Sequence, residues 1–269
     1  MINLKEIIKI AIAAGDQIIA IYNNDTAAVA YKEDNSPLTL ADEASNKVIF
    51  EALSNLYPEI PVLSEEGKGI PFHNRNTWDY FWLVDPLDGT KEFIKKNGEF
   101  TVNIALIKKN KPVLGVIYVP VKREIYFAQE RIGAYKFEEI DRFEELGSVE
   151  ELILSSRKLP EDSHTTNAKY TVVGSRSHMS KETKEYIDSI RQIHGEVETI
   201  SAGSSLKFCL VAEAKADIYP RFGPTMEWDT AAGHIIVEEA GGKIIAAESK
   251  LPLEYNKETL LNPWFIVSR

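Results

Sequence analysis

The chain has 269 residues, 44% apolar and 27% charged, with 41 acidic side chains against 31 lysines and arginines and a formal net charge of −10. That balance excludes wholesale disorder, no apolar run approaches the roughly 18–20 residues that span a bilayer, and an acidic surface opposes binding to a nucleic acid polymer. The one cysteine, Cys209, cannot form an internal disulfide, and Lys5 and Glu6 put charges where a secretory segment would be apolar, so a cytoplasmic enzyme is expected.

Leu4, Ile7, Ile8, Ala11, Ile18 and Tyr22 recur at helical spacing, as do Ser45, Val48, Ile49, Ala52, Leu53 and Leu56. Two amphipathic helices therefore open the fold, the second starting at Thr39-Leu40-Ala41-Asp42, a capping-box pattern with Thr39 as the cap. Val62-Leu63 and the wholly apolar Phe81-Trp82-Leu83-Val84 read as short strands, the latter buried on both faces. Strands at 101–107, 113–119, 125–128 and 134–137 follow with short connections, an antiparallel meander. The charged stretch 138–148 marks a boundary between an α+β lobe, 1–147, and an α/β lobe, 148–269. In the second lobe, strands at 152–154, 170–173 and 197–200 alternate with helices at 180–193, 204–214 and 230–240, the last closed by Gly241-Gly242. The class is α/β, a layered sandwich with a cleft between two lobes.

The chemistry concentrates in Asp85-Pro86-Leu87-Asp88-Gly89-Thr90, where a buried strand delivers Asp85 and the chain turns through Asp88-Gly89. Two acids, a turn carbonyl at Leu87 and a hydroxyl at a strand end suit a hard cation such as Mg²⁺, which prefers oxygen ligands. Amides at Gly89 and Thr90 would face an anion docked there if a helix starts at that point. Asp-Pro and Asp-Gly are also ordinary turn formers. Ser64-Glu65-Glu66-Gly67 again ends a strand with acids, and Glu227-Trp228-Asp229-Thr230 puts an acid before a predicted helix. Asp229 as a simple N-cap and Asp42 as a capping-box partner are the alternatives to a functional role. Carboxylates about 4 Å apart repel by roughly 4 kcal/mol at an effective dielectric near 20. Gathering Asp42, Glu65, Asp85, Asp88 and Asp229 in one cleft makes sense around divalent cations. Other phosphatase devices are absent: Lys215 stands where a Cys-x₅-Arg loop needs arginine, and Ile244 follows Gly242-Lys243 where a Walker loop needs Ser or Thr.

Asp85-Pro86-Leu87-Asp88-Gly89-Thr90, Ser64-Glu65-Glu66-Gly67 and Trp228-Asp229-Thr230-Ala231-Ala232-Gly233 resemble the metal-site signatures of the inositol monophosphatase superfamily. Asp34-Asn35-Ser36-Pro37, residues 83–103, 203–213 and 219–225 resemble its branch of CysQ-type 3'(2'),5'-bisphosphate nucleotidases. The likeness covers essentially the whole chain, is weakest between residues 138 and 170, and departs at no metal-ligand position. It implies a layered αβαβα sandwich of the inositol monophosphatase and fructose-1,6-bisphosphatase type. Glu65, Asp85 and the Leu87 carbonyl would hold one Mg²⁺, and Asp85, Asp88 and Asp229 a second. A third ion near Glu65 follows from family precedent. Thr90 with Asp42 would orient the attacking water, and Leu87 to Thr90 would cradle the phosphate.

The implied substrate is a small-molecule nucleotide, 3'-phosphoadenosine 5'-phosphate, whose contacts would come from His178, Ser204, Lys207 and Arg221. The implied setting is sulfur assimilation, with inhibition by Li⁺ competing for a magnesium position. An inositol- or sugar-phosphate phosphatase on the same metal site is the nearest alternative. A non-catalytic nucleotide- or metal-binding protein is the other, against which stand Thr90 and Asp42, since mere binding needs neither. Cys209 reads as a small buried hydrophobe, Trp82 and Trp228 as core. Oligomeric state and any peripheral attachment to the cytoplasmic face of the inner membrane are left open.

Overall fold

The computed structural model describes residues 2–24, 29–31, 37–160, 169–175 and 180–269. Helix α1 (Leu4–Tyr22) buries Leu4, Ile7, Ile8, Ala11, Ala14 and Ile18 along one stripe, and the Asn3 side chain caps it by accepting from the Lys5 N–H. A ribbon of β1 (Val29–Tyr31) and β2 (Pro37–Thr39) leads into α2 (Leu40–Leu56). The capping box forms as the sequence predicts, with Asp42 Oδ2 accepting from the Thr39 N–H at 2.7 Å.

A seven-stranded sheet follows in chain order: β3 (Val62–Ser64), β4 (Tyr80–Asp88), β5 (Thr101–Lys108), β6 (Lys111–Val119), β7 (Glu124–Gln129), β8 (Gly133–Phe137) and β9 (Arg157–Leu159). Strands β3 and β4 are parallel and all later pairs antiparallel, so the predicted meander is present. Short helices α3 (Phe72–Arg75) and α4 (Thr90–Ile94) flank β4. On β4, Trp82 and Val84 pack with α1 and α2, whereas Phe81 and Leu83 face the opposite core. Burial on both faces is why this strand reads as an uninterrupted apolar run.

Residues 152–154 form the end of a helix, α5 (Val149–Leu154), rather than the expected strand. Leu152 is fully buried while Leu154 is 85% exposed. A strand would put these two on one face, and a helix separates them. The Ser148 hydroxyl caps α5 by accepting from the Glu151 N–H at 3.2 Å.

The second sheet has five strands: β10 (Tyr170–Ser175), β11 (Val197–Ala202), β12 (Ile218–Arg221), β13 (Lys243–Ala246) and β14 (Phe265–Ser268), in spatial order β11-β10-β12-β14-β13. Strand β10 runs parallel to both its neighbours, and β14 antiparallel to β12 and β13. Helix α6 (Lys181–His194) covers the outer face through Ile187 and Ile190. Helices α7 (Leu206–Ala212) and α8 (Ala231–Glu239) fill the space between the two sheets. The layers therefore run helix, sheet, helix, sheet, helix. Helix α8 ends at Gly241, whose φ of +86° and N–H bond to Glu238 O, together with Gly242 N–H to Val237 O, make the expected glycine stop. Among the described residues no helix is long and apolar enough to cross a membrane.

Candidate active site

Asp85 continues the face of Phe81 and Leu83 and so points between the sheets. Three residues further along a regular strand, Asp88 would point the other way. It does not, because the pairing slips: Asp85 stands opposite Asn103 and Asp88 opposite Thr101, three steps on β4 against two on β5. This bulge at Pro86-Leu87 returns Asp88 to the face of Asp85. The Ser45 hydroxyl pins it by donating to Pro86 O at 2.7 Å, and the Leu87 N–H donates to Asp85 Oδ1 at 3.1 Å. Gly89 then adopts φ +96°, which favours glycine, and starts α4 at Thr90. The neighbouring β3 pairs with β4, and Glu65 follows it with its N–H bonded to Val84 O at 3.1 Å.

Glu65, Asp85 and Asp229 bring carboxylate oxygens within 4.8 Å of one another. Asp229 is not the N-cap of α8; Thr230 holds that position, and Asp229 Oδ2 accepts from the Met226 N–H at 2.8 Å. Asp88 lies beside this trio, held by the Ser205 hydroxyl at 2.8 Å and Asn103 Nδ2 at 3.4 Å. Burial, then the mutual repulsion of Glu65, Asp88, Asp229 and Asp42, pushes the Asp85 carboxyl well above the ordinary range. Asp229 is raised likewise by burial, Asp88 and Glu65. Carboxylates packed this closely are stabilised as anions by divalent cations, and an all-oxygen set of this size suits a hard one. Glu65, Asp85, Asp229 and the adjacent Asp88 therefore fit a metal site.

Asp42 resolves the choice between cap and function by serving both. Its Oδ2 closes the capping box, and its Oδ1 accepts from the Thr90 hydroxyl at 3.3 Å. The acids line a cleft of about 680 Å³ shared with Leu87, Gly89, Thr90, Ser204, Lys207 and Arg221. Lys207 is 6% exposed, its ammonium donating to the carbonyls of Ala202 and Ser204. Burial lowers its pKa to about 8, with Asp88 pulling up and Arg221 pushing down. Ser204 has φ +40° and packs its Cβ 3.2 Å from where a Cβ on Gly89 would stand.

Of the residues singled out in the sequence, Asp42, Glu65, Asp85, Leu87, Asp88, Gly89, Thr90, Ser204, Lys207, Arg221 and Asp229 thus gather in or around one cleft. His178, with Asp34 to Ser36, lies outside the described residues. The sequence reading passed over Ser205 and Asn103, which contact Asp88, and Glu99, whose carboxylate accepts from the Gly203 N–H at 2.8 Å. Ser205 sits inside a quoted motif, yet a hydroxyl next to another hydroxyl carries no signal of which one is buried. Cys209 is buried and its thiol pushed up by that burial, and Trp82 is core, as expected.

The family described as the inositol monophosphatase family matches residues 3–268. The 3'(2'),5'-bisphosphate nucleotidase CysQ of Escherichia coli (strain K12) is 47% identical over 98% of this chain and 99% of its own length. The protein of that name from Haemophilus influenzae is 36% identical over 98% and 91%. Among solved structures, CysQ from Bacteroides thetaiotaomicron superposes with a TM-score of 0.89 at 52% identity, covering 98% of this chain and 95% of the other. The Bartonella henselae suhB protein shares the fold at a TM-score of 0.75 and 24% identity. With near-complete coverage in sequence and in structure, the chain belongs to the inositol monophosphatase family.

Proposed function

We propose that this chain is a magnesium-dependent 3'(2'),5'-bisphosphate nucleotidase that hydrolyses the 3'-phosphate of 3'-phosphoadenosine 5'-phosphate to AMP and phosphate. One observation supports the reading: the cleft is lined by a carboxylate cluster and also by two cationic side chains, the buried Lys207 and Arg221. A simple monoester needs the carboxylate cluster only, whereas a nucleotide with two phosphates uses both. Full-length relatives whose names state this activity support it.

Glu65, Asp85 and the Leu87 carbonyl would hold one Mg²⁺, Asp85, Asp88 and Asp229 a second, and Glu65 a third, weaker one. Such ions lower the pKa of water and stabilise a leaving oxygen. Thr90 donates its own proton to Asp42, so its oxygen is left to accept one from the attacking water. Thr90 thereby orients the water, and Asp42 is placed to take the proton. The bulge holds Leu87 to Thr90 as a backbone cradle for the phosphate. Water bonds to phosphorus as the bond to the ribose 3'-oxygen breaks; the departing oxygen takes a proton from solvent, and Asp42 returns the proton it received to solvent. Ser204, Lys207, Arg221 and His178 would bind the second phosphate and the nucleoside. In this reading the chain has two lobes, 1–147 with most metal ligands and 148–269 with Asp229 and the nucleotide contacts, β9 crossing back to the first sheet. In the cytoplasm such an enzyme would serve sulfur assimilation and be inhibited by lithium.

The test is phosphate release from the nucleotide and from inositol 1-phosphate, with and without Mg²⁺, for wild type and Asp85→Asn. Nucleotide turnover dominates, requires Mg²⁺ and falls at least about a hundredfold in the variant, on the scale of losing a group that stabilises the transition state. Faster turnover of inositol phosphate overturns the substrate, and activity surviving chelation overturns the mechanism.

A further inference from the structure

Asp88 ends a strand of the seven-stranded sheet, Asp229 precedes the helix between the sheets, and one buried hydroxyl reaches both. Ser205, 1% exposed at the start of α7, donates to Asp88 Oδ2 at 2.8 Å and lies 3.1 Å from the Asp229 carbonyl oxygen. Asn103 on β5, equally buried, donates through Nδ2 to Ser205 Oγ at 2.9 Å. Its own Oδ1 accepts from the Thr101 hydroxyl at 3.1 Å, which fixes the amide's orientation. A hydroxyl that already accepts from Asn103 turns its single proton outward, toward Asp88 and the Asp229 carbonyl. Both side-chain bonds to Asp88 fall on Oδ2, and Oδ1 receives neither. Oδ1 is therefore the oxygen left for a cation.

We propose that Ser205 is a positioning residue. Oriented by Asn103, its hydroxyl fixes Asp88 relative to the segment carrying Asp229, so that two ligands from different elements meet one cation without prior rearrangement. This rests on the metal-dependent reading above. Without Ser205, Asp88 Oδ2 keeps only the long 3.4 Å bond from Asn103, one amide N–H of Asn103 loses its acceptor, and Asp88 is held less firmly. Groups that hold metal ligands in this way typically contribute 10–100-fold in metal affinity.

The experiment titrates Mg²⁺ into the metal-free protein by calorimetry, alongside the Mg²⁺ dependence of phosphate release, for wild type, Ser205→Ala, Asp88→Asn and the double variant. Ser205→Ala should weaken Mg²⁺ binding about tenfold or more, with kcat largely restored at saturating Mg²⁺. Because Ser205 acts through Asp88, the same substitution should change little in the Asp88→Asn background. Asn103→Ala should reproduce the effect in milder form, which keeps the idea testable if Ser205→Ala does not fold. A folded Ser205→Ala protein with wild-type Mg²⁺ binding overturns the proposal, as does an equal loss in the Asp88→Asn background. If the wild type itself binds no Mg²⁺, the metal-dependent reading fails first, and the two failures are told apart.

Discussion

Two lysines are almost equally buried in this protein, and they are treated in opposite ways. Lys136 on β8 is 3% exposed, with its ammonium 3.1 Å from Glu124, 3.0 Å from Glu138 and 3.0 Å from Glu213. Burial works against its charge, but Glu213, Glu138 and Glu124 more than reverse this and raise its pKa. Lys207, in the cleft, is 6% exposed and has only backbone carbonyls within bonding distance. Burial dominates there and Arg221 adds to it, and the nearby charge of Asp88 offsets them only in part. The first lysine is neutralised inside the protein; the second is left short of negative charge that a phosphate would supply. Burial alone is thus a poor guide to function, and the partners decide.

The sharpest way to break this contrast is Lys136→Met. It takes the buried cation from among three glutamates, and although Glu213 keeps Lys215 and Tyr126, it should destabilise the protein by about 3 kcal/mol in urea denaturation, with turnover per folded molecule close to wild type. Lys207→Met should act on binding. Loss of a charge-assisted bond to the second phosphate, worth about 1.5–3 kcal/mol, should raise KM for the nucleotide roughly 10–100-fold, leaving KM for inositol 1-phosphate nearly unchanged.

Proton linkage separates the pair further. The Lys207 pKa is about 8 when folded against 10.5 in its ordinary state, so between these values the unfolded chain binds more protons. Stability of the metal-free protein should therefore gain a rising component across that window, absent in Lys207→Met. A smaller effect lies on the acid side. Burial raises the Glu213 pKa, but hydrogen bonds from Lys215 and Tyr126 and the charge of Lys136 outweigh it and leave it lowered. Its contribution is complete above the ordinary value of 4.5 and is lost as pH falls through the lowered one. Glu213→Gln should remove that part of the acid limb in pH-dependent unfolding curves.

The helices and meander were legible because each carries a periodic apolar face, and the capping box at Thr39 and Asp42 is a local rule satisfied locally. Residues 152–154 misled because three apolar residues in a row fit either period; the telling signal was Ser148 with Glu151 three positions on. The acids of the site were legible by type, and their convergence was not. The bulge that turns Asp88 to the side of Asp85 is a register slip between strands, which no stretch of one strand encodes. Ser205 and Asn103 are distant in the chain and meet only through the stacking of helix on sheet.

Helix α8 begins beside Asp229 and is wedged tightly along its length. A methyl group on Gly115 of β6 would lie 2.6 Å from Ala232 O, and one on Gly233 would lie 2.4 Å from the Phe208 ring. The helix consequently works as a gauge block whose thickness sets where the last acid stands. A single added carbon at Gly115, in the sheet packed against this helix, would press on the turn that follows that acid. The spacing of the carboxylate cluster can therefore change through substitutions at the protein's waist, with every acid left in place.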